Sequence, residues 1–164
     1  MQRSIIRLAG TGTVACLGLL GVAAVPAGAT AQTGNVTGLT MDLGPPPVEV
    51  PANCPFGQND DASFLMLSGN GVFHDSQNKN GDWGGSTIEG IAQFTVGTAT
   101  YVGHLTTWGG GGNNAKGQNE GGQTLTFHGT GPDGTLDVHV NGHGTTSASG
   151  NQVGNQLNGT ITCS

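Results

Sequence analysis

Three histidines and one glutamate each stand directly beside a glycine in this chain: Glu89, His104, His128 and His143. Imidazoles and carboxylates are the side chains that bind transition metals and exchange protons near neutral pH. If the four met on one surface, they would offer ligands to zinc, copper, iron or manganese. They would equally form a catalytic proton-transfer set, with one histidine as general base and Glu89 orienting it or sharing the proton.

The four residues belong to a pattern that recurs six times: an apolar residue, any residue, glycine, any residue, and an apolar or small residue. Its glycines are Gly69, Gly90, Gly103, Gly129, Gly142 and Gly159. Each repeat lies in a run that alternates between apolar and polar residues, as half-buried β-strands do. Glycine is unfavourable inside a strand, so its recurrence favours a sheet that bends at one level in every strand, as a small barrel does.

The alternation predicts strands over 63–74, 87–96, 100–108, 123–131, 135–146 and 156–163, with one or two more between 41 and 56. Turn-forming links such as Gly131-Pro132-Asp133-Gly134 favour antiparallel neighbours. We therefore expect an all-β protein, a small antiparallel meander β-barrel of six to eight strands with glycine bends and one disulfide. Two segments rich in glycine and polar residues, 75–86 and 109–122, are predicted as long loops.

In architecture alone, such a glycine-bent meander barrel is similar to the allene oxide cyclase and dirigent group, and to lipocalins and avidins. The resemblance implies binding or cyclisation of a small apolar molecule. Because one fold carries many functions, it assigns no role to any residue of this chain.

Aligning the glycines of neighbouring strands predicts one row of polar residues across the sheet. The row contains Asn70, Glu89, His104, His128, His143 and Asn158. Neighbouring side chains in such a row have Cβ atoms about 4.5 to 5.5 Å apart, close enough for the three histidines to share a metal or substrate with the glutamate. The competing interpretation is that the apolar face fills the barrel, which leaves the histidines solvated on its outer surface.

The N-terminal residues predict a secretory signal peptide over 1–31. Arg3 and Arg7 precede an apolar run, and small residues follow it, with cleavage expected after Ala29 or Ala31. A lipoprotein cleavage before Cys16 is the alternative. Residues 32–53 include three consecutive prolines and predict a flexible lead-in, and residues 54–164 predict the barrel domain.

Removal of the signal peptide would leave two cysteines, Cys54 and Cys163. In an oxidising compartment, two cysteines that flank a domain favour a structural disulfide. The sequence therefore predicts a secreted, extracellular protein.

The mature chain would carry two lysines, Lys79 and Lys116, against ten carboxylates. So acidic a chain cannot neutralise phosphates, which argues against nucleic acids and anionic membrane surfaces as partners. Trp83 and Trp108 stand at the borders of predicted strands, where indoles form a ligand rim by stacking on a sugar or another flat molecule, or pack the rim itself.

These observations favour a binding or envelope-associated protein with a small apolar molecule or a glycan as partner, and leave an oligomer open. The alternative is a small-molecule cyclase or isomerase, or an enzyme dependent on a transition metal, that uses the histidine and glutamate cluster.

Overall fold

The computed structural model describes residues 29–164, so the predicted signal peptide lies outside the described residues except for its last three positions. The strands are β1 (Ala29–Asn35), β2 (Thr40–Gly44), β3 (Ala62–Asn78), β4 (Gly81–Val96), β5 (Ala99–Asn114), β6 (Asn119–Gly131), β7 (Gly134–Thr146) and β8 (Gln152–Cys163). The predicted all-β class is confirmed. The described residues form no helix long and apolar enough to cross a membrane.

The strands form one antiparallel sheet in the order β1, β3, β4, β5, β6, β7, β8, with β2 paired to β3 beside β1. From β3 to β8 every strand pairs with the next along the chain, which confirms the predicted meander. Within residues 29–164, no hydrogen-bonded ladder joins β8 to β1 or β2. The closed barrel therefore stays a prediction.

The prediction of long loops at 75–86 and 109–122 is wrong, because most of each segment extends the neighbouring strands. β3 continues to a turn at Lys79 and Asn80, where the backbone N–H of Asn80 donates to Oδ1 of Asn78 at 2.8 Å. In β5 and β6, Gly110 pairs with Gly122 in an unbroken ladder. Backbone hydrogen bonds hold such a ladder together without any alternation of apolar and polar side chains. Because alternation is what predicts a strand from sequence, these extensions leave no signal there.

The buried core occupies one end of the sheet, near the turns at 97–98 and 132–133. It comprises Phe56, Ala62, Phe64, Met66, Ala92, Phe94, Val96, Ala99, Tyr101, Leu105, Phe127, Leu136, Val138, Ile161 and Cys163. The rings of Phe94 and Phe127 stack with centroids 5.1 Å apart. Toward the turns at 79–80 and 115–118 the strands continue as a sheet with few buried side chains.

A β-bulge at Leu67 changes which side chains of β3 face the core. Met66 pairs with Ala92 and Ser68 with Ile91, so Leu67 has no partner of its own on β4. Before the bulge, Met66 is buried, whereas Leu67 is exposed. An uninterrupted alternation from Leu65 to Phe73 places Leu67 on the apolar face and Met66 on the polar one. That assignment is wrong because one extra residue reverses the faces.

The repeat glycines lie where neighbouring groups approach the backbone too closely for a side chain. A Cβ at Gly103 would overlap the carbonyl oxygen of His128, and one at Gly129 would overlap the ring of Phe127. The absence of a side chain therefore leaves room for the backbone of the adjacent strand at Gly103 and for a core ring at Gly129.

The predicted disulfide between Cys54 and Cys163 is confirmed. It ties the segment between β2 and β3 to the end of β8, where Nδ2 of Asn53 also donates to the carbonyl oxygen of Cys163 at 2.6 Å. The segment predicted as a flexible lead-in, 32–53, contributes β2 and most of β1 to the sheet. Nε2 of Gln58 donates to the carbonyl oxygen of Pro46, the middle one of the three consecutive prolines, at 2.7 Å.

Candidate functional site: one polar sheet face

One face of β4 to β7 carries all the side chains that the sequence singled out for chemistry. Residues separated by an even number of positions on a strand share a face, so Glu89 lies on the face of Trp83, and His104 on that of Trp108. The opposite face of the same strands holds the core. The polar residues therefore occupy the solvated side of the sheet, as the competing interpretation expected.

At the core end of this face, His104 and His128 are direct cross-strand partners. His128 in turn pairs with Asp137 of β7, and Nδ1 of the imidazole hydrogen-bonds to Oδ1 of that carboxylate. The side chains of His128 and Asp137 are 68% and 51% exposed. A side-chain contact this exposed to water contributes at most about 1 kcal/mol to stability.

His143 does not lie with the other two histidines. It stands on β7 six residues beyond Asp137, about 20 Å along the strand, where its Nε2 contacts Oε1 of Glu120 at 3.1 Å. Glu89 faces Thr106, which places it diagonal to His104 rather than opposite it. The expectation of one row is therefore wrong: the structure brings His104 and His128 together, with Glu89 nearby, and holds His143 apart.

Across residues 29–164, no three histidine, cysteine, aspartate or glutamate side chains lie close enough to hold one metal ion. The paired His104 and His128 offer two imidazoles, and Asp137 is already bonded to one of them. Both histidines lie on the solvated face of the sheet, where no wall formed by residues 29–164 encloses a reacting group above them.

Between these two histidine sites, His139 belongs to a small hydrogen-bond network. Its Nδ1 contacts Oγ1 of Thr126 at 3.0 Å, and its Nε2 contacts Nδ2 of Asn141 at 3.3 Å. Because an amide nitrogen can only donate, Nε2 of His139 accepts and Nδ1 carries the proton donated to Thr126. The network fixes the orientation of Asn141 at the edge of the groove described next.

The rings of the two tryptophans contact a floor of glycines. Gly85, Gly110 and Gly122 face one another across β4, β5 and β6. A Cβ at Gly110 would lie 3.1 Å from the ring of Trp83 and 3.1 Å from that of Trp108, so both indoles cover this glycine. The side chains remain 44% and 40% exposed, which leaves a face of each ring open to solvent.

Around the indoles the sheet forms an open groove of about 570 Å³. Glu120, Thr124, Asn141, His143 and Thr145 of β6 and β7 line one side of the groove, and Asp82 of β4 and Asn113 of β5 line it as well. The bond between His143 and Glu120 crosses this side of the groove. The groove thus combines a broad aromatic surface with hydrogen-bond donors and acceptors, and its volume lies within the range of ligand sites.

Sequence reasoning missed Asp137 and Glu120 as the partners of the histidines. The repeat glycines align between β3 and β4 and between β5 and β6, but not in the other pairs of the meander. The turn at 132–133 fixes the register, since pairing Gly131 with Gly134 forces His128 opposite Asp137. A two-residue turn recognised in the sequence could therefore have identified this partner.

Comparison with models of known protein families, with curated proteins and with solved structures found no significant match.

Proposed function

We propose that this is a secreted, non-enzymatic binding protein that takes a neutral glycan chain in the groove over Trp83 and Trp108. The observation that carries the proposal is the pair of half-exposed indoles lying over the glycine floor, with Glu120, Asn141 and His143 beside them. Indole faces stack on the apolar faces of sugar rings, while amide, imidazole and carboxylate groups bond their hydroxyls. The disulfide and the predicted signal peptide support an extracellular location.

The openness of the groove favours a glycan over a small apolar molecule. Sites for small apolar ligands bury most of the ligand surface, whereas this groove is open to solvent. A sugar chain tolerates such a site because its outward hydroxyls stay hydrated. Because the floor across three strands is made of glycines, no side chains there keep the indole rings away from the sheet.

Charge favours a neutral glycan. Glu120 lies in the groove, and the whole chain has an excess of carboxylates. An acidic polysaccharide would meet like charge with little basic compensation, because the chain beyond the predicted signal peptide has only two lysines.

The test uses intrinsic fluorescence, because the only two tryptophans of the chain both lie in the groove. Mature protein is titrated with neutral cello-, xylo- and chito-oligosaccharides, with an oligogalacturonate, and with a flat apolar dye. We expect a neutral oligosaccharide to change the emission, and calorimetry to give its affinity. Trp83→Ala and Trp108→Ala should each weaken the calorimetric affinity about tenfold or more, since about 1.4 kcal/mol of stacking energy is tenfold in affinity.

Phe73→Ala is the matched control, because Phe73 is another exposed aromatic of the sheet but lies on the opposite face. It should leave the affinity unchanged. Binding of the dye in place of every glycan would overturn the proposal in favour of an apolar ligand. Equal loss of affinity in Phe73→Ala and Trp83→Ala would show that the groove is not the site.

A further inference from the structure

The last strand, β8, ends the sheet with one side unpaired. Its ladder partner on the other side is β7, and no strand of residues 29–164 lies beyond it. Side chains from 152 to 158 are exposed, with Val153 at 65% and Leu157 at 38%. Unpaired backbone N–H and C=O groups therefore run along this edge before Cys163, whose carbonyl oxygen accepts from Asn53, and they are a template for another strand.

The edge has few of the features by which proteins block such pairing. From Gln152 to Ser164 the sequence contains no charged residue and no proline. The ladder between β7 and β8 is irregular only between Thr145 and Thr146, at the start of β8. Natural edge strands are usually protected by lysine, proline, bulges or a covering element, so an uncharged edge of this length is suited to pairing with another chain.

We propose that two copies of this chain pair through β8, antiparallel, about a two-fold axis at Leu157. In such an isologous ladder the strand meets itself, and a residue on the axis lies opposite its own copy. Centring at Leu157 places Gln156 opposite Asn158 and Asn155 opposite Gly159. The two leucines then meet on the core-side face, where Leu157 already packs against Gly142.

The pairing would continue the sheet across both subunits. A two-fold axis perpendicular to the sheet keeps like faces on the same side, so both tryptophan grooves would point the same way. If the proposed function holds, the dimer is a bivalent glycan binder, and its binding to a polymer is stronger than that of one groove. The dimer itself does not depend on that function.

The register predicts a charge-complementation result that few other arrangements would give. Sedimentation of the mature protein without glycan should show a concentration-dependent dimer. Leu157→Lys and Leu157→Glu should each halve the observed mass, because like charges lie directly opposite one another. An equimolar mixture of the two variants should regain the dimer.

Three further variants keep the test independent of any loss of folding. Leu157→Cys should cross-link to its own copy under oxidation, because directly opposed residues have Cα atoms about 4.5 to 5.5 Å apart, within disulfide range. Asn155→Cys, which would face glycine, should not. Thr33→Lys on the exposed β1 edge should leave the dimer intact.

A wild-type protein that stays monomeric up to its solubility limit would overturn the proposal. So would dissociation by Thr33→Lys, which would place the contact on β1. Loss of glycan binding with the dimer intact would overturn the proposed function and leave the β8 pairing standing.

Discussion

Tyr101 places a polar group where the described residues offer it nothing to bond. Its side chain is 1% exposed, and its hydroxyl has no hydrogen-bond partner within residues 29–164. Burial, with a smaller contribution from the nearby charge of Asp133, raises the pKa of this phenol above its ordinary value of 10.0. An unpaired buried hydroxyl is unfavourable, so the ring contributes to stability mainly through its apolar area.

We predict that Tyr101→Phe raises the free energy of unfolding by about 1 kcal/mol, because the substitution removes the unpaired hydroxyl and keeps the ring. The raised pKa adds a pH dependence. The unfolded chain loses the phenol proton first, so the contribution of Tyr101 is complete below about pH 10 and is lost as pH rises through the folded-state pKa. Denaturant unfolding of both proteins across alkaline pH should show a steeper loss of stability in the wild type.

The absorbance of ionised phenol gives an independent check, because Tyr101 is the only tyrosine of the chain. In the folded protein it should titrate above the ordinary value. Titration at that value, or a clear loss of stability in Tyr101→Phe, would show that the hydroxyl has a partner.

At the scale of the strand, glycines that look alike in the sequence have different neighbours. Gly103 and Gly109 both lie in β5, yet a Cβ at Gly103 would overlap the backbone of β6, whereas one at Gly109 would meet nothing within 4 Å. A backbone atom cannot move aside as a flexible side chain can. Gly103 belongs to the sequence pattern that recurs six times. The close approach of the β6 backbone explains why a glycine is needed at this position.

We predict that Gly103→Ala lowers the free energy of unfolding by about 3 kcal/mol or more, because β5 and β6 must separate to admit the methyl group. Gly109→Ala is the matched control. Its effect should be neutral or stabilising by up to about 1 kcal/mol, since alanine reduces the freedom of the unfolded chain. Denaturant unfolding measures both variants, and similar losses would contradict the close approach of the two strands.

At the scale of the whole molecule, the disulfide joins the segment between β2 and β3 to the last strand, β8. Cys54 precedes β3 and Cys163 ends β8, so the bond closes a loop with a sequence separation of 109 residues. It also carries Phe56 of the same segment against the core. Constraint of so long a loop removes much of the freedom of the unfolded chain.

We predict that the double variant Cys54→Ser, Cys163→Ser loses about 4 to 5 kcal/mol of unfolding free energy, the chain-entropy value for a loop of this length. Asn53→Ala separates the disulfide from the neighbouring hydrogen bond, and should cost about 1 kcal/mol. Thermal and denaturant unfolding give both values. Equal losses in the two variants would assign the stabilisation to docking of the segment rather than to the covalent bond.

The sequence by itself determined the all-β class, the meander and the disulfide. The first two follow because alternation and turn residues are local properties of each strand and link, and the third because two cysteines beyond the predicted signal peptide flank the domain. Only the tertiary structure decided which residues meet. The turn at 132–133 sets the register of β6 and β7, so His128 meets Asp137 and His143 lies about 20 Å away along the strand, while the bulge at Leu67 decides which side chains of β3 face the core. The sequence likewise did not predict the glycine floor beneath Trp83 and Trp108. Glycine ladders are held by backbone hydrogen bonds between residues distant in the chain, so they produce no side-chain pattern in the sequence.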